Sequence, residues 1–185
     1  MRIAVYGGSF NPPHVVHGQV TSWLLASDLV DEVWLLPVFR HAFEGIHSKQ
    51  LAAFSDRVRW CQALARDVDP RVRGCEEESS LPVPSFTIDT LSHLTRVHPE
   101  HVFRLIVGSD VLDQVDSWRD WDGIRAKFAP IVVGRQGHPA PDGVPIFPDV
   151  SSTEIRRRLG AGESVSALVT PGVAALLAEE GAWAD

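Results

Sequence analysis

The chain has 185 residues, 44% hydrophobic and 22% charged, with a formal net charge of −7. That length and balance suit a globular chain with a sizeable core, expected as a single domain over 1–185 with its core in 1–150 and C-terminal helices in 151–185. The acidic total argues against nucleic-acid binding, which needs clustered Lys and Arg, so any polyanionic ligand must be met by a local site. Arg156, Arg157 and Arg158 form the one dense basic cluster, too short for a nucleic-acid arm. The N-terminus lacks a charged start with a long apolar run, and no stretch approaches the roughly 18 apolar residues of a membrane span. A cytoplasmic protein without membrane contact is expected. Cys61 and Cys75 suit reduced packing residues, and no Cys-x-x-Cys or His-Glu-x-x-His spacing supports a zinc site.

In chain order, a predicted strand from Arg2 to Tyr6 runs into Gly7-Gly8-Ser9-Phe10-Asn11-Pro12-Pro13-His14-Val15-Val16-His17, and a helix is predicted over about Val15 to Ser27. Glycines let backbone approach a bulky anion at φ values other residues avoid, and a helix start offers unpaired N–H groups to phosphate oxygens. His14 and His17, three apart, are expected to share one helical face. Together these residues point to nucleotide phosphate chemistry.

Further strands are predicted at Glu32 to Val38, Val102 to Gly108 and Ala129 to Val133, with weaker ones at Val72 to Cys75 and Val144 to Phe147. Helices are predicted at Ser55 to Arg66, Phe86 to Val97 and Val111 to Val115. The segment from Gly134 to Pro148 is expected as a Gly- and Pro-rich loop holding one short strand. Ser151, Ser152 and Thr153 offer capping hydroxyls to a helix over Glu154 to Leu159, and Pro171 opens a last helix through Glu180. This alternation favours an α/β fold with a doubly wound parallel sheet. Its ligand crevice lies beyond the carboxyl ends of the strands, where both Gly7-Gly8 and Gly108-Ser109-Asp110 fall.

Four motifs, in order, resemble the His-x-x-His nucleotidyltransferase superfamily, and within it the bacterial nicotinate-nucleotide adenylyltransferases. They are Gly7 to His17, Ser85 to Leu91, Gly108-Ser109-Asp110 followed by Trp118, and Ser151-Ser152-Thr153-Glu154-Ile155-Arg156. Gly7 to His17 departs from the usual pattern at Val16, where the family has glycine. The resemblance implies a Rossmann-like fold with a C-terminal helical extension. It further implies that ATP and nicotinate mononucleotide give deamido-NAD and pyrophosphate, with Mg2+ carried on the ATP phosphates. The nucleophile is then a substrate phosphate, already ionised, so catalysis reduces to positioning and charge stabilisation.

By the same resemblance, His14 and His17 stabilise charge on the α-phosphate and leaving pyrophosphate. Gly7, Gly8, Ser9, Phe10, Gly108 and Asp110 bind the nucleotide, and Ser152, Thr153 and Arg156 form a second phosphate clamp. Trp118 stacks on the nicotinate ring, and Thr87 orients its carboxylate. After Pro37 the family's usual Pro-Pro-His-Lys is absent; Lys49 is the candidate for the lysine that meets ATP, with Arg40 as a substitute. Plainer roles stay open: helix capping for Asp110 and Thr87, a capped surface helix for Ser152 to Arg156, and core packing for Trp121. Competing functions are adenylyl transfer to nicotinamide mononucleotide or another phosphate monoester, and a catalytically silent nucleotide-binding module. Assembly into a homo-oligomer also stays open.

Overall fold

The computed structural model describes residues 1–39 and 51–183. Its strands are β1 Arg2–Gly8, β2 Glu32–Pro37, β3 Val72–Gly74, β4 Val102–Gly108, β5 Ile131–Arg135 and β6 Ile146–Phe147. They form one sheet in the order β3-β2-β1-β4-β5-β6, with every neighbouring pair parallel. Helices α1 Val15–Ala26, α2 Phe54–Val68, α3 Thr87–Val97, α4 Trp121–Phe128, α5 Ser152–Gly160 and α6 Pro171–Glu180 accompany it. Parallel neighbours need crossovers, which α1, α2 and α3 help to supply. This is the Rossmann-like doubly wound order, whose direction reverses between β1 and β4.

Alternate residues of the central strands feed two cores, as a two-residue side-chain period requires. Ala4, Val33, Leu35, Ile106 and Val133 pack with α1, α2, α5 and α6 on one face. Ile3, Val5, Trp34, Leu36, Phe103, Leu105 and Val107 pack with α3 and α4 on the other. Both faces are covered, which explains why these strands read as near-continuous apolar runs. No described helix is long and apolar enough to cross a membrane.

Several elements differ from expectation. Gly7 and Gly8 belong to β1, and neither is among the residues with positive φ; the left-handed residue of this turn is Phe10, at φ 44°. The glycines therefore serve by lacking side chains. A Cβ on Gly7 would meet nothing within 4 Å, whereas one on Gly8 would press on the Phe10 ring at 3.3 Å. The expected helix over Val111 to Val115 is a 3-10 helix, Ser109–Ser117, and another forms at Glu77–Ser80. The strand predicted from Ala129 begins at Ile131, because Ala129 turns left-handed (φ 35°) at the end of α4.

Helix α4 itself has no long apolar period in sequence. It is started by Asp120, whose carboxylate accepts the Gly123 N–H at 3.2 Å. Ser151 caps α5 in the same way, accepting the Glu154 N–H at 3.2 Å. Ile155, fully buried, anchors α5 to the first core. Replacing Ile155 with alanine is expected to cost about 2–5 kcal/mol in urea unfolding, the range for emptying a buried aliphatic site. A loss within the noise of a surface substitution would show that α5 is not held this way.

Candidate active site

From Ser9 to His14 the chain crosses the carboxyl end of the sheet without joining a strand or helix, yet Phe10 and Asn11 are only 2% exposed and His14 7%. Buried irregular backbone must find partners for its polar groups. Here they come from distant parts of the chain. Arg57 of α2 donates through Nη1 to the Ser9 carbonyl at 3.0 Å, Ser152 Oγ donates to the Pro12 carbonyl at 2.8 Å, and Arg156 Nη1 donates to the Asn11 carbonyl at 2.7 Å. The Ala52 N–H donates to Asn11 Oδ1 at 3.0 Å, and the Val15 N–H donates to the Leu168 carbonyl at 2.9 Å. Arg57 also donates to the carbonyls of Val38 (2.7 Å) and Ala52 (3.1 Å), joining this turn to the chain just after β2 and just before α2.

The two imidazoles come together on this turn. His14 is the residue that caps α1 rather than a helical one, and its ring stacks on His17 with centroids 3.6 Å apart and planes inclined by 24°. His17 Nδ1 accepts the His14 backbone N–H at 3.0 Å, so in the neutral ring the proton sits on Nε2. The edges of Phe10 and Tyr6 fix the same ring, at centroid distances of 4.8 and 5.6 Å. Burial, aided by the positive charge of Arg135, pushes His14 down to about 4. Burial, the neighbouring His14 and then Arg135 hold His17 well below its ordinary range. Both rings are therefore neutral at pH 7. His14 Nδ1 is buried without a hydrogen-bond partner among the described residues.

A cleft of about 580 Å³ opens between the β1–α1 turn and the ends of β4 and β5. Gly7, Gly8, Ser9, His14 and His17 line one side, and Thr87, Gly108, Asp110 and Trp118 line the other. Val16 lines it as well. A Cβ on Gly108 would collide with the Asp110 carboxylate, which would have to shift. Thr87 is the first residue of α3, whose capping position is Phe86. Trp118 is braced edge-on by Trp121, with centroids 5.8 Å apart, and both pack partly buried on the second core. Phe10, assigned to nucleotide binding from sequence, is instead buried edge-on against His17 and is not among the residues lining the cleft. Ser152 and Arg156 face the turn, with Thr153 Oγ1 accepting from Arg156 Nη2 at 3.3 Å. Lys49 and Arg40 lie outside the described residues.

Two cleft residues escaped the sequence analysis. Arg135 ends β5; it donates to Asp110 Oδ2 at 2.6 Å and, through Nε and Nη2, to Asp149 Oδ1 at 2.9 and 2.7 Å. A charged residue at the carboxyl end of a strand was the available signal, concealed by assigning 134–148 to a loop. Glu78 accepts the Phe39 N–H at 2.8 Å and the Thr90 hydroxyl at 3.1 Å, and burial pushes its carboxyl up. In sequence it hides in the run Glu76-Glu77-Glu78, which resembles a solvated acidic patch.

A doubly wound parallel sheet with a buried histidine pair over its switch point defines an α/β nucleotide-binding class. Comparison with known proteins agrees and goes further. Residues 5–158 match the cytidylyltransferase-like family. A probable nicotinate-nucleotide adenylyltransferase of Anaeromyxobacter sp. (strain K) is 48% identical, with 98% of this chain and 96% of that relative covered. The one of Myxococcus xanthus is 36% identical over 99% of this chain and 95% of the relative. Among solved structures, Plasmodium falciparum nicotinic acid mononucleotide adenylyltransferase complexed with NaAD shares the fold with a TM-score of 0.77 at 17% identity, covering 98% of this chain and 97% of that one. The chain belongs to the cytidylyltransferase-like family and, within it, to the nicotinate-nucleotide adenylyltransferases, and it is an enzyme of the nucleotidyltransferase class.

The histidine pair should be visible in the pH dependence of folding. Folding lowers the His14 pKa from about 6.5 to about 4, so between those values the unfolded chain binds more protons than the folded one. Its contribution is complete above pH 6.5 and is lost as pH falls to 4, a difference of about 3 kcal/mol for this group. His14→Gln is expected to flatten the fall in urea-unfolding free energy across that window. An unchanged slope would show that His14 does not titrate as a buried neutral ring.

Proposed function

We propose that this chain transfers the adenylyl group of ATP to nicotinate mononucleotide, releasing pyrophosphate and forming deamido-NAD. The observation that carries the reading is the facing of two walls across one cleft, the stacked His14–His17 pair on one and Asp110 with Trp118 on the other. A phosphate oxygen of the mononucleotide attacks the α-phosphorus of ATP in line. The bond between the α-phosphorus and its bridging oxygen breaks, and pyrophosphate leaves with that electron pair. No side-chain nucleophile is needed, because a phosphate monoester is already ionised at neutral pH.

Within this reading, the Nε2–H of neutral His17 donates to a phosphate oxygen, and His14 beside it does the same through Nε2. Both favour the charge that builds on the α-phosphate and the leaving group. Fixed, water-poor donors suit this task because they require little rearrangement as charge develops. Gly7 leaves the wall open where a side chain would intrude, and the first N–H groups of α1 add partial positive charge. Asp110 accepts from ribose hydroxyls. The indole of Trp118 stacks on the pyridinium ring, and Thr87 meets its carboxylate.

Ser152, Thr153 and Arg156 complete the phosphate clamp at the start of α5, with Lys49 and Arg40 as the cations of the 40–50 segment. No group of three His, Cys, Asp or Glu among the described residues is placed to hold a metal ion. Within this reading magnesium would be carried by the phosphate oxygens of ATP, as a hard cation with oxygen ligands. There it would neutralise phosphate charge during transfer.

A pyrophosphate-release assay with ATP and either nicotinate or nicotinamide mononucleotide tests the reaction. Turnover is expected with the acid, and a large preference for the amide would overturn the substrate assignment. His17→Ala is expected to lower kcat about 10²- to 10³-fold while preserving the fold, and near-normal turnover would remove the histidines from the chemistry. Trp118→Ala is expected to raise KM for the mononucleotide roughly tenfold with a smaller effect on ATP. An equal effect on both substrates would place that ring elsewhere.

A further inference from the structure

Arg135 is the one Lys or Arg among the described residues that line the cleft, and the carboxylates of Glu78 and Asp110 line it too. With both imidazoles neutral, a polyphosphate entering the cleft meets two carboxylates and a single guanidinium among the described lining residues. That guanidinium is already engaged: its fork is divided between Asp110 at 2.6 Å and Asp149 at 2.7 Å. The backbone beneath it is fixed, because the Arg135 N–H donates to Ser109 Oγ at 2.9 Å and the residue pairs with Phe147 of β6. The side chain is 34% exposed, within reach of solvent and ligand. Neither carboxylate takes the fork through two oxygens, since Asp110 offers only Oδ2 and Asp149 only Oδ1, whereas a phosphate group can offer two oxygens and a larger charge to the same guanidinium.

We propose that Arg135 is a phosphate-binding residue of this cleft, kept in place by Asp110 and Asp149 and released to the polyphosphate when a ribose hydroxyl engages Asp110. The proposal rests on the nucleotide-binding reading of the cleft but not on the identity of the second substrate. Its physical content is competition for one acceptor. Asp110 Oδ2 takes its hydrogen bond from Arg135 Nη1; a ribose hydroxyl that donates to the same oxygen frees the guanidinium, whose positive charge already reaches both histidines. Ribose binding and phosphate binding are then coupled through a single side chain. Asp149, 56% exposed at the cleft rim, retains Arg135 by one oxygen while the fork turns.

Inorganic pyrophosphate is the probe, because it carries the phosphates without the ribose. Calorimetric titration of the full chain is expected to give roughly tenfold weaker pyrophosphate binding for Arg135→Met and partial recovery for Arg135→Lys. Asp110→Asn is expected to act in opposite directions, tightening pyrophosphate binding because the guanidinium is freed and weakening ATP binding because the ribose acceptor is impaired. A purely structural Arg135 would not give that split. Pyrophosphate affinity within about twofold of wild type in folded Arg135→Met overturns the proposal. Should Arg135→Met fail to fold by circular dichroism, Asp110→Asn decides, and weaker pyrophosphate binding there overturns the proposal. Arg135-dependent pyrophosphate binding without product from nicotinate mononucleotide would uphold this assignment and reject only the substrate reading.

Discussion

The site depends on keeping an irregular turn buried. Between Ser9 and His14 the backbone gives up the hydrogen bonds of β1 before it gains those of α1, yet it is shielded from water. Each carbonyl in such a place costs about 1–3 kcal/mol if left unmatched. The fold meets that cost with Arg57 from α2, and Ser152 and Arg156 from α5, which accounts for much of the C-terminal architecture. Without α5 the turn would lose two of these donors. Helix α5 is thus part of what shapes the turn beside the cleft, although it is separated from the turn by about 140 residues of sequence.

Burial of the turn also determines its electrostatics. Two imidazolium rings 3.6 Å apart inside a protein would repel each other and lose hydration, so the arrangement selects the neutral form of both. Neutral rings still donate hydrogen bonds. In the proposed reaction they would meet developing charge as hydrogen-bond donors rather than as fixed cations. Among the described residues that line the cleft, formal positive charge comes from Arg135. The chain's acidic total is compatible with a polyanionic substrate because what matters is the field at one end of the sheet.

The sheet was legible in sequence because strands covered on both faces leave short, dense apolar runs at Ile3 to Tyr6, Val33 to Leu36 and Phe103 to Val107. The same logic placed Gly7-Gly8 and Gly108-Ser109-Asp110 at one crevice. What escaped was set by tertiary structure. Helix α4 is short and interrupted by Gly123, so its start rests on the left-handed Asp120 rather than on periodicity. Arg135 was concealed because β5 continues two residues beyond its apolar run. The bracing of the turn by Arg57 was invisible, since an arginine in an amphipathic helix gives no local sign that its guanidinium crosses the core edge to three carbonyls.

Arg156 shows how a sequence motif can hold two roles without conflict. Its guanidinium has five N–H donors, and the Asn11 carbonyl and Thr153 hydroxyl engage only two of them. The remaining donors are enough for a phosphate, so bracing the turn and clamping a ligand are compatible. Arg57 differs. It is 1% exposed, and Ser9, Val38 and Ala52 surround it with carbonyls that only a charged, planar fork can serve together. Two arginines thus hold the same turn, one sealed within the fold and the other half-buried. A phosphate that bound Arg156 would meet a group already positioned by Asn11, so the contact that supports the empty turn would also reduce the entropy lost on binding.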